Sequence, residues 1–145
     1  MEESKSQKVE EPESDERLEK GPAYETSNLK SQIQNPTDWP TYRHDLARSG
    51  FTTTRVPADV QLAWELKVGG RLSSPVLASG TVPVASRAEH TVYGIDAGAG
   101  RRVWSFTAGG RVDSPPAVDG QRVLFGSADG WIYCLEAATG RQLWR

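Results

Sequence analysis

Short apolar runs alternate with glycine-rich turns over the chain after residue 64, and this pattern predicts β-strands. The runs are rich in β-branched and aromatic residues, and they lack the period of about 3.6 residues that marks an amphipathic helix. In order, they lie at 75–78, 82–86, 92–95, 102–106, 117–118, 123–126, 131–135 and 142–144. Asp-Gly pairs at 119–120 and 129–130 favour hairpin turns between successive strands.

A tandem repeat underlies this pattern, because Trp64, Trp104 and Trp144 follow one another at intervals of 40 residues. Between them, Gly-Gly-Arg at 69–71 recurs at 109–111. A repeat of about 40 residues with four short strands is typical of propeller blades. The predicted fold is therefore all-β, an incomplete β-propeller of four-stranded antiparallel blades with about two full blades and a partial one.

Two segments that end the repeats share a motif: residues 93–104 read YGIDAGAGRRVW and residues 133–144 read YCLEAATGRQLW. Both resemble the tryptophan-docking motif of PQQ-like (quinoprotein-type) β-propeller repeats, Tyr-x-Leu-Asp-Ala-x-Thr-Gly-x-x-x-Trp. The resemblance covers residues 39–145. Ala99 stands where the motif has Thr, which should remove a hydroxyl that holds the turn, and Glu136 stands where it has Asp.

The resemblance implies that these residues dock one blade on the next. A flat indole covers apolar area that a two-faced sheet must bury, and a glycine in the facing turn lets the backbone approach it. The alternative, a ladder of indoles that stacks on a ligand, needs exposed rings along one groove. The predicted structural docking motif comprises Trp64, Tyr93, Ala97, Gly100, Trp104, Tyr133, Ala137, Gly140 and Trp144.

Three regions are predicted. Residues 1–35 hold five basic against nine acidic side chains, a net charge of −4, and form a disordered acidic linker or tail in which 18–28 can dock weakly. Residues 36–63 form a lead-in and a partial first blade, with an outer strand at 62–66. Residues 64–145 form two PQQ-like propeller repeats of a truncated propeller.

Candidate chemistry is scarce, and we predict no catalytic, cofactor-binding or metal-binding residue. Cys134 has no second cysteine to pair with and is expected to be a buried structural thiol. His44 and Asp45 are adjacent and should point to opposite faces of a strand, so they are interpreted as structural. His90 is expected to be solvated, and Trp131 to pack in the core. The aspartates Asp113, Asp119 and Asp129 are interpreted as solvated turn carboxylates.

Charge and length restrict the possible partners. The chain beyond residue 35 carries twelve basic and ten acidic side chains without a basic stripe, which argues against nucleic acid. No hydrophobic signal segment follows Met1 and no membrane span is predicted. A closed propeller needs about 160–320 residues. We therefore expect a fragment of a larger bacterial multidomain protein, with an uncovered edge strand at 142–145 and a tendency to aggregate alone.

Two functions fit the resemblance. In the first, this segment is a non-catalytic scaffold whose loops contact a protein or polymer partner, or the missing blades of a parent protein, and it needs no cofactor. In the second, it is part of a PQQ- and calcium-dependent quinoprotein dehydrogenase. The repeat identifies a fold and not a reaction, so whether the protein is an enzyme stays open, and we favour the scaffold. Family analogy implies a periplasmic or cell-surface location.

Overall fold

A computed structural model describes residues 17–24, 35 and 37–145. Two antiparallel sheets run in the strand orders β1-β2-β3 and β4-β5-β6-β7. The strands are β1 (Thr81–Ser86), β2 (Thr91–Asp96), β3 (Arg102–Thr107), β4 (Ala117–Asp119), β5 (Arg122–Gly126), β6 (Ile132–Glu136) and β7 (Gln142–Trp144). The described residues contain no α-helix. The predicted all-β fold of partial propeller blades is confirmed.

The two sheets share the same strand pairing, including a register shift at the equivalent position. The register of β2 against β3 shifts between Gly94 and Ile95, and that of β6 against β7 shifts between Cys134 and Leu135. These two positions are 40 residues apart. Because a bulge bends its strand and increases its twist, both blades turn at the same point and present similar faces to their neighbours.

The first blade has three strands rather than the predicted four. The strand expected at 75–78 is replaced by isolated β-bridges. In one of them, Leu77 and Trp39 exchange both backbone hydrogen bonds (2.6 and 2.8 Å). Val76 donates to the carbonyl of Pro83 (3.3 Å), but proline has no N–H with which to return the bond. The ladder beside β1 therefore does not extend into a regular strand.

The main core lies between the two sheets. Its buried members are Ala85, Val92, Trp104, Ala108, Val112, Val123, Phe125, Tyr133, Leu135 and Ala137. Phe106 of the first blade meets two rings of the second, with its centroid 5.4 Å from Tyr133 and 6.1 Å from Phe125. Full burial of such a ring contributes about 1.5–3 kcal/mol. The blades share this core, so each depends on the other for burial of one face.

The other face of the first sheet is covered by the segment that precedes it. Trp64, Leu66 and Val68 pack on the cluster of Val84, Tyr93 and Ile95. Side chains between them in the sequence are exposed, an alternation typical of a strand. The prediction of an outer strand at 62–66 is nevertheless wrong, because this segment has no ladder of backbone hydrogen bonds in the described structure.

The last strand, β7, is covered along its outer edge by residues 17–24. Glu19 and Arg145 exchange both backbone hydrogen bonds (2.7 and 2.9 Å), and the Gly21 N–H donates to the Leu143 carbonyl (2.6 Å). The prediction of an uncovered edge was therefore wrong. The remainder of the predicted disordered tail, 1–16 and 25–34, lies outside the described residues, and the proposed domain boundaries stay predictions.

Candidate functional site

Two tryptophan indoles reach across the molecule to the turns that close the sheets. The Trp64 Nε1–H donates to the carbonyl of Ala97, and the Trp104 Nε1–H donates to the carbonyl of Ala137, each at 2.8 Å and each 33 residues along the chain. Trp104 is buried, whereas Trp64 is half-buried. The Trp104 bond joins β3 of one blade to the turn after β6 of the next. Trp144, the third of the series, is half-buried and packs against the cluster of Ala23, Cys134 and Leu143.

Glycine is required where each indole meets its turn. Gly100 and Gly140 have φ of 63° and 70°, values that side chains disfavour. A Cβ at Gly100 would lie 2.3 Å from Trp64 Cγ, and a Cβ at Gly140 would lie 2.7 Å from Trp104 Cδ2. The two turns therefore combine a left-handed backbone with direct contact between backbone and ring.

The turns reach this shape by different side-chain bonds. Asp96 Oδ1 accepts from the backbone N–H of Gly98 (3.0 Å) and of Ala99 (2.8 Å). In the second turn, Thr139 Oγ1 donates to the Glu136 carboxylate (2.5 Å). The carboxylate of Asp96 holds the first turn without the hydroxyl that Ala99 lacks.

A second repeated contact joins an acidic side chain to a tyrosine four residues later. The Tyr93 hydroxyl donates to Glu89, and the Tyr133 hydroxyl donates to Asp129 (2.6 Å) while accepting from the N–H of Gly109 (3.3 Å). The bond to Glu89 raises the pKa of Tyr93. Desolvation opposes ionisation of Asp129, but the bonds from Tyr133 and from backbone N–H groups outweigh it and lower the pKa of its carboxyl group.

The interpretation of Asp129 as a solvated carboxylate therefore missed its partner. The sequence held a usable signal, since the acid–x–x–x–Tyr spacing recurs with the period of the repeat at 89–93 and 129–133, and a Gly-Gly pair precedes each copy. A Cβ at Gly69 would overlap the Glu89 carboxylate. The Gly69 contact with Glu89 and the Gly109 bond to Tyr133 place each Gly-Gly loop against the hairpin turn of its own repeat.

A charged cluster links the two blades at the same end of the molecule. The Asp113 carboxylate accepts from Arg87, which follows β1, and from Arg111, which lies before β4, with N–O distances of 2.8 Å in both pairs. These bonds, that of Arg111 first, lower the pKa of Asp113 to about 2. Asp113 was interpreted as a solvated turn carboxylate; it does lie at the exposed surface, where it also pairs with two guanidinium groups.

A cleft of about 410 Å³ adjoins this cluster. It is lined by Arg111, Asp113, Ser114, Gly126, Ser127, Ala128, Gly130, Trp131 and Ile132. Trp131 packs partly on the inter-blade core, as predicted, and also separates this cleft from a second one of about 470 Å³ beside Trp144. The guanidinium of Arg145 lies 4.7 Å from the centre of the Trp131 ring and covers one part of it.

The remaining candidate residues have surroundings typical of a structural role. Cys134 is fully buried, as predicted, and burial raises the pKa of its thiol to about 11. His90 has φ of 55° in the turn before β2 and is half-buried rather than fully solvated. Within the described residues, no three His, Cys, Asp or Glu side chains lie close enough together to hold a metal ion.

The segment containing His44 and Asp45 is a turn, so the prediction that these side chains point to opposite faces of a strand was wrong. Arg43 and His44 have φ of 62° and 79°, and His44 Nδ1 lies 3.8 Å from Asp45 Oδ2. Asp45 accepts from the Ser49 hydroxyl (2.6 Å) and N–H (2.9 Å), and the hydroxyl bond is the main reason that its pKa is lowered. This carboxylate holds the turn between residues 45 and 49.

Comparison with known proteins identifies the repeat. A family model described as "Outer membrane protein assembly factor BamB" matches residues 46–145. The chain belongs to this family of PQQ-like repeat proteins. A search of curated proteins found no significant match. Within the described residues, no helix is long and apolar enough to cross a membrane.

Solved structures of two kinds share the fold. The quinohemoprotein alcohol dehydrogenase of Comamonas testosteroni is 26% identical over 82% of this chain and 20% of its own, with a TM-score of 0.62. BamB of Moraxella catarrhalis is 29% identical over 57% of this chain and 26% of its own, with a TM-score of 0.51. A europium-containing methanol dehydrogenase, 20% identical over 77% of this chain and 23% of its own (TM-score 0.63), shows the fold alone. The chain therefore spans about a fifth to a quarter of the length of these proteins.

Proposed function

We propose that this segment is a non-catalytic scaffold, in which PQQ-like blades hold a set of loops in fixed positions for a protein or polymer partner. The observation that carries this proposal is the use of the polar side chains at the loop end. Asp113 binds two arginines, Asp129 binds Tyr133, and Glu89 binds Tyr93. These carboxylates hold loops in place and are not arranged for acid–base chemistry on a substrate.

The docking residues form the rigid part of this scaffold. In our proposal, each indole fixes the distance between one blade and the turn of the next through its hydrogen bond to Ala97 or Ala137. Gly100 and Gly140 make room for the rings. Trp144 lies 40 residues after Trp104 and is therefore suited to dock on a further blade. The missing blades of a parent protein are the second partner that we propose.

The partner-facing surface is the cleft at Trp131. It combines an exposed apolar side chain, Ile132, which is 60% exposed, with an indole and the charged cluster at Asp113. Aromatic and arginine side chains are common at the centres of protein interfaces. The family description, an outer membrane protein assembly factor, supports a protein partner and a periplasmic or cell-surface location for this chain.

Site-specific photocrosslinking tests the scaffold. A photoreactive residue at Ile132 should form a discrete adduct with a partner in the native cell. The same residue at Val103, which is 41% exposed on β3, serves as the matched control and should form none. Adducts of equal yield at both positions, or none at Ile132, would contradict the proposal.

A second candidate function is part of a quinoprotein dehydrogenase, and Trp131 beside a cleft is the observation that favours it. The neighbouring residues do not fit a calcium ion, because the Asp113 carboxylate is already bound by two guanidinium groups that repel a cation. Arg145 also covers part of the Trp131 ring on which a flat quinone would stack.

Titration with PQQ and Ca²⁺ separates the two candidates. The scaffold proposal expects no saturable change of tryptophan fluorescence at micromolar PQQ, with or without calcium. A Trp131→Phe variant of the same chain controls for quenching at the other four tryptophans. Saturable quenching that the variant abolishes would favour the dehydrogenase.

A further inference from the structure

The outer edge of β7 is paired with a distant part of the chain, and the contacts are specific. Residues 17–24 run antiparallel to β7 through the bonds of Glu19 and Gly21, with a bridge between Lys20 and Trp144. Regular pairing ends at Pro22, since the Ala23 N–H donates to the Gln142 carbonyl (3.2 Å), one residue out of register. Proline leaves no unpaired N–H at this step.

Three positions of the paired segment restrict which sequence can bind along the outer edge of β7. Gly21 leaves no room for a side chain, because a Cβ there would lie 2.3 Å from the carbonyl oxygen of Gln142. Ala23 is 1% exposed and packs in a small cluster with Cys134 and Leu143. A larger apolar side chain would exceed the room in that cluster, and a charged one would be buried without a partner.

The third position is electrostatic. Glu19 Oε2 lies 2.6 Å from Arg145 Nη2 and 2.7 Å from Arg145 Nε, so the carboxylate meets the flat edge of the guanidinium. The same guanidinium lies against the Trp131 ring, which fixes its orientation. Planar pairing of this kind adds direction to the charge attraction.

We propose that the outer edge of β7 is a strand-addition site that selects an extended Glu-x-Gly-Pro-Ala segment, and that residues 17–24 of the same chain occupy it. Strand addition takes its affinity from main-chain hydrogen bonds and its specificity from alternate side chains. Occupation within the chain blocks edge-to-edge pairing with other sheets. The inference goes beyond the scaffold function, because it concerns the edge of the blade and requires no external partner.

Peptide binding to the full chain tests the site. A fluorescein-labelled peptide with the sequence of residues 17–24 is added to the wild type, to Gly21→Ala and to Gly126→Ala. Alanine at 21 clashes with β7, whereas a Cβ at Gly126 in the same blade has no atom within 4 Å. We expect the peptide to bind Gly21→Ala, whose own segment is displaced, and to leave the wild type and Gly126→Ala unbound.

Variants of the peptide test its selectivity on the Gly21→Ala protein. A peptide with alanine at the glycine position should bind at least about tenfold more weakly. Arg145→Gln, introduced together with Gly21→Ala, should weaken binding of the original peptide by no more than about fivefold, because the ion pair is partly exposed. Equal binding of both peptides would overturn the proposal.

Hydrogen exchange on the same proteins provides a readout that does not depend on peptide affinity. The Arg145 amide, which donates to Glu19, should be protected in the wild type and in Gly126→Ala and lose protection in Gly21→Ala, while the amides of β5 and β6 stay protected. Unchanged protection at Arg145, or a wild-type dimer that Gly21→Ala dissociates, would overturn occupation within one chain. The scaffold proposal can fail without altering either result.

Discussion

At the residue scale, the indole–glycine contact has a simple physical basis. A ring fits flat against a turn only if the turn carries no Cβ, and the left-handed backbone of Gly140 is one that alanine adopts at a cost of about 1–2 kcal/mol. Steric conflict with Trp104 adds to that cost, because the ring is buried and cannot move aside. The motif ties a backbone requirement and a packing requirement to one residue.

Two alanine substitutions separate these requirements. Gly130→Ala changes a glycine with φ of 90° and no atom within 4 Å of the new Cβ, so it should destabilise by about 1–2 kcal/mol through the backbone alone. Gly140→Ala should cost at least about 1–3 kcal/mol more, because it also overpacks against Trp104. Urea unfolding followed by tryptophan fluorescence measures both, and equal losses would show that the ring contact is unimportant.

At the element scale, the two blades are joined by the Arg87–Asp113–Arg111 cluster as well as by the core. The pKa of Asp113 is lowered from 3.8 to about 2 in the folded state. A group with a depressed folded pKa contributes stability that is fully present above its unfolded pKa and is lost as the pH falls through the folded value. The contribution is therefore complete above about pH 4 and disappears towards pH 2.

Removing the charge should remove this part of the pH dependence. Asp113→Asn is expected to make unfolding stability less sensitive to pH between about 4 and 2, and Arg111→Gln should raise the pKa of Asp113, measured by carboxyl NMR titration. Substitution of Arg141, which lies in the turn before β7, is the matched control and should leave the Asp113 titration unchanged. A normal pKa for Asp113 in the wild type would contradict the geometry.

At the scale of the whole molecule, the shared core predicts that the blades open together. Phe125→Leu, on β5, should destabilise by about 1 kcal/mol and lower hydrogen-exchange protection in β2 as well as in β5, because Phe106 and Val92 pack in the same cluster. Val84→Ala, on the other face of the first sheet, should affect β1 and β2 more than β6. Independent loss of protection in the two sheets would show that they fold separately.

Some parts of the molecule could be predicted from the sequence and others could not. The strands after residue 80 and their turns were predictable. Alternation of apolar and polar residues and Asp-Gly pairs act locally, and the 40-residue interval gives the same layout in both blades. The short first blade was not, since it depends on which carbonyl faces Pro83. The contact of Asp113 with Arg87 was also missed, because Arg87 belongs to the first blade and only the tertiary fold brings it near. The contact of Asp129 with Tyr133 was missed although its four-residue spacing is visible in the sequence.

The sequence by itself determined the repeat interval and the all-β fold, because these follow from residue types at fixed spacing. Only the tertiary structure decided which strand edge is covered, which acids are paired and where the clefts lie. These features depend on contacts between residues as distant as Glu19 and Arg145, and the energy of such a contact exists only after the chain has brought both groups together.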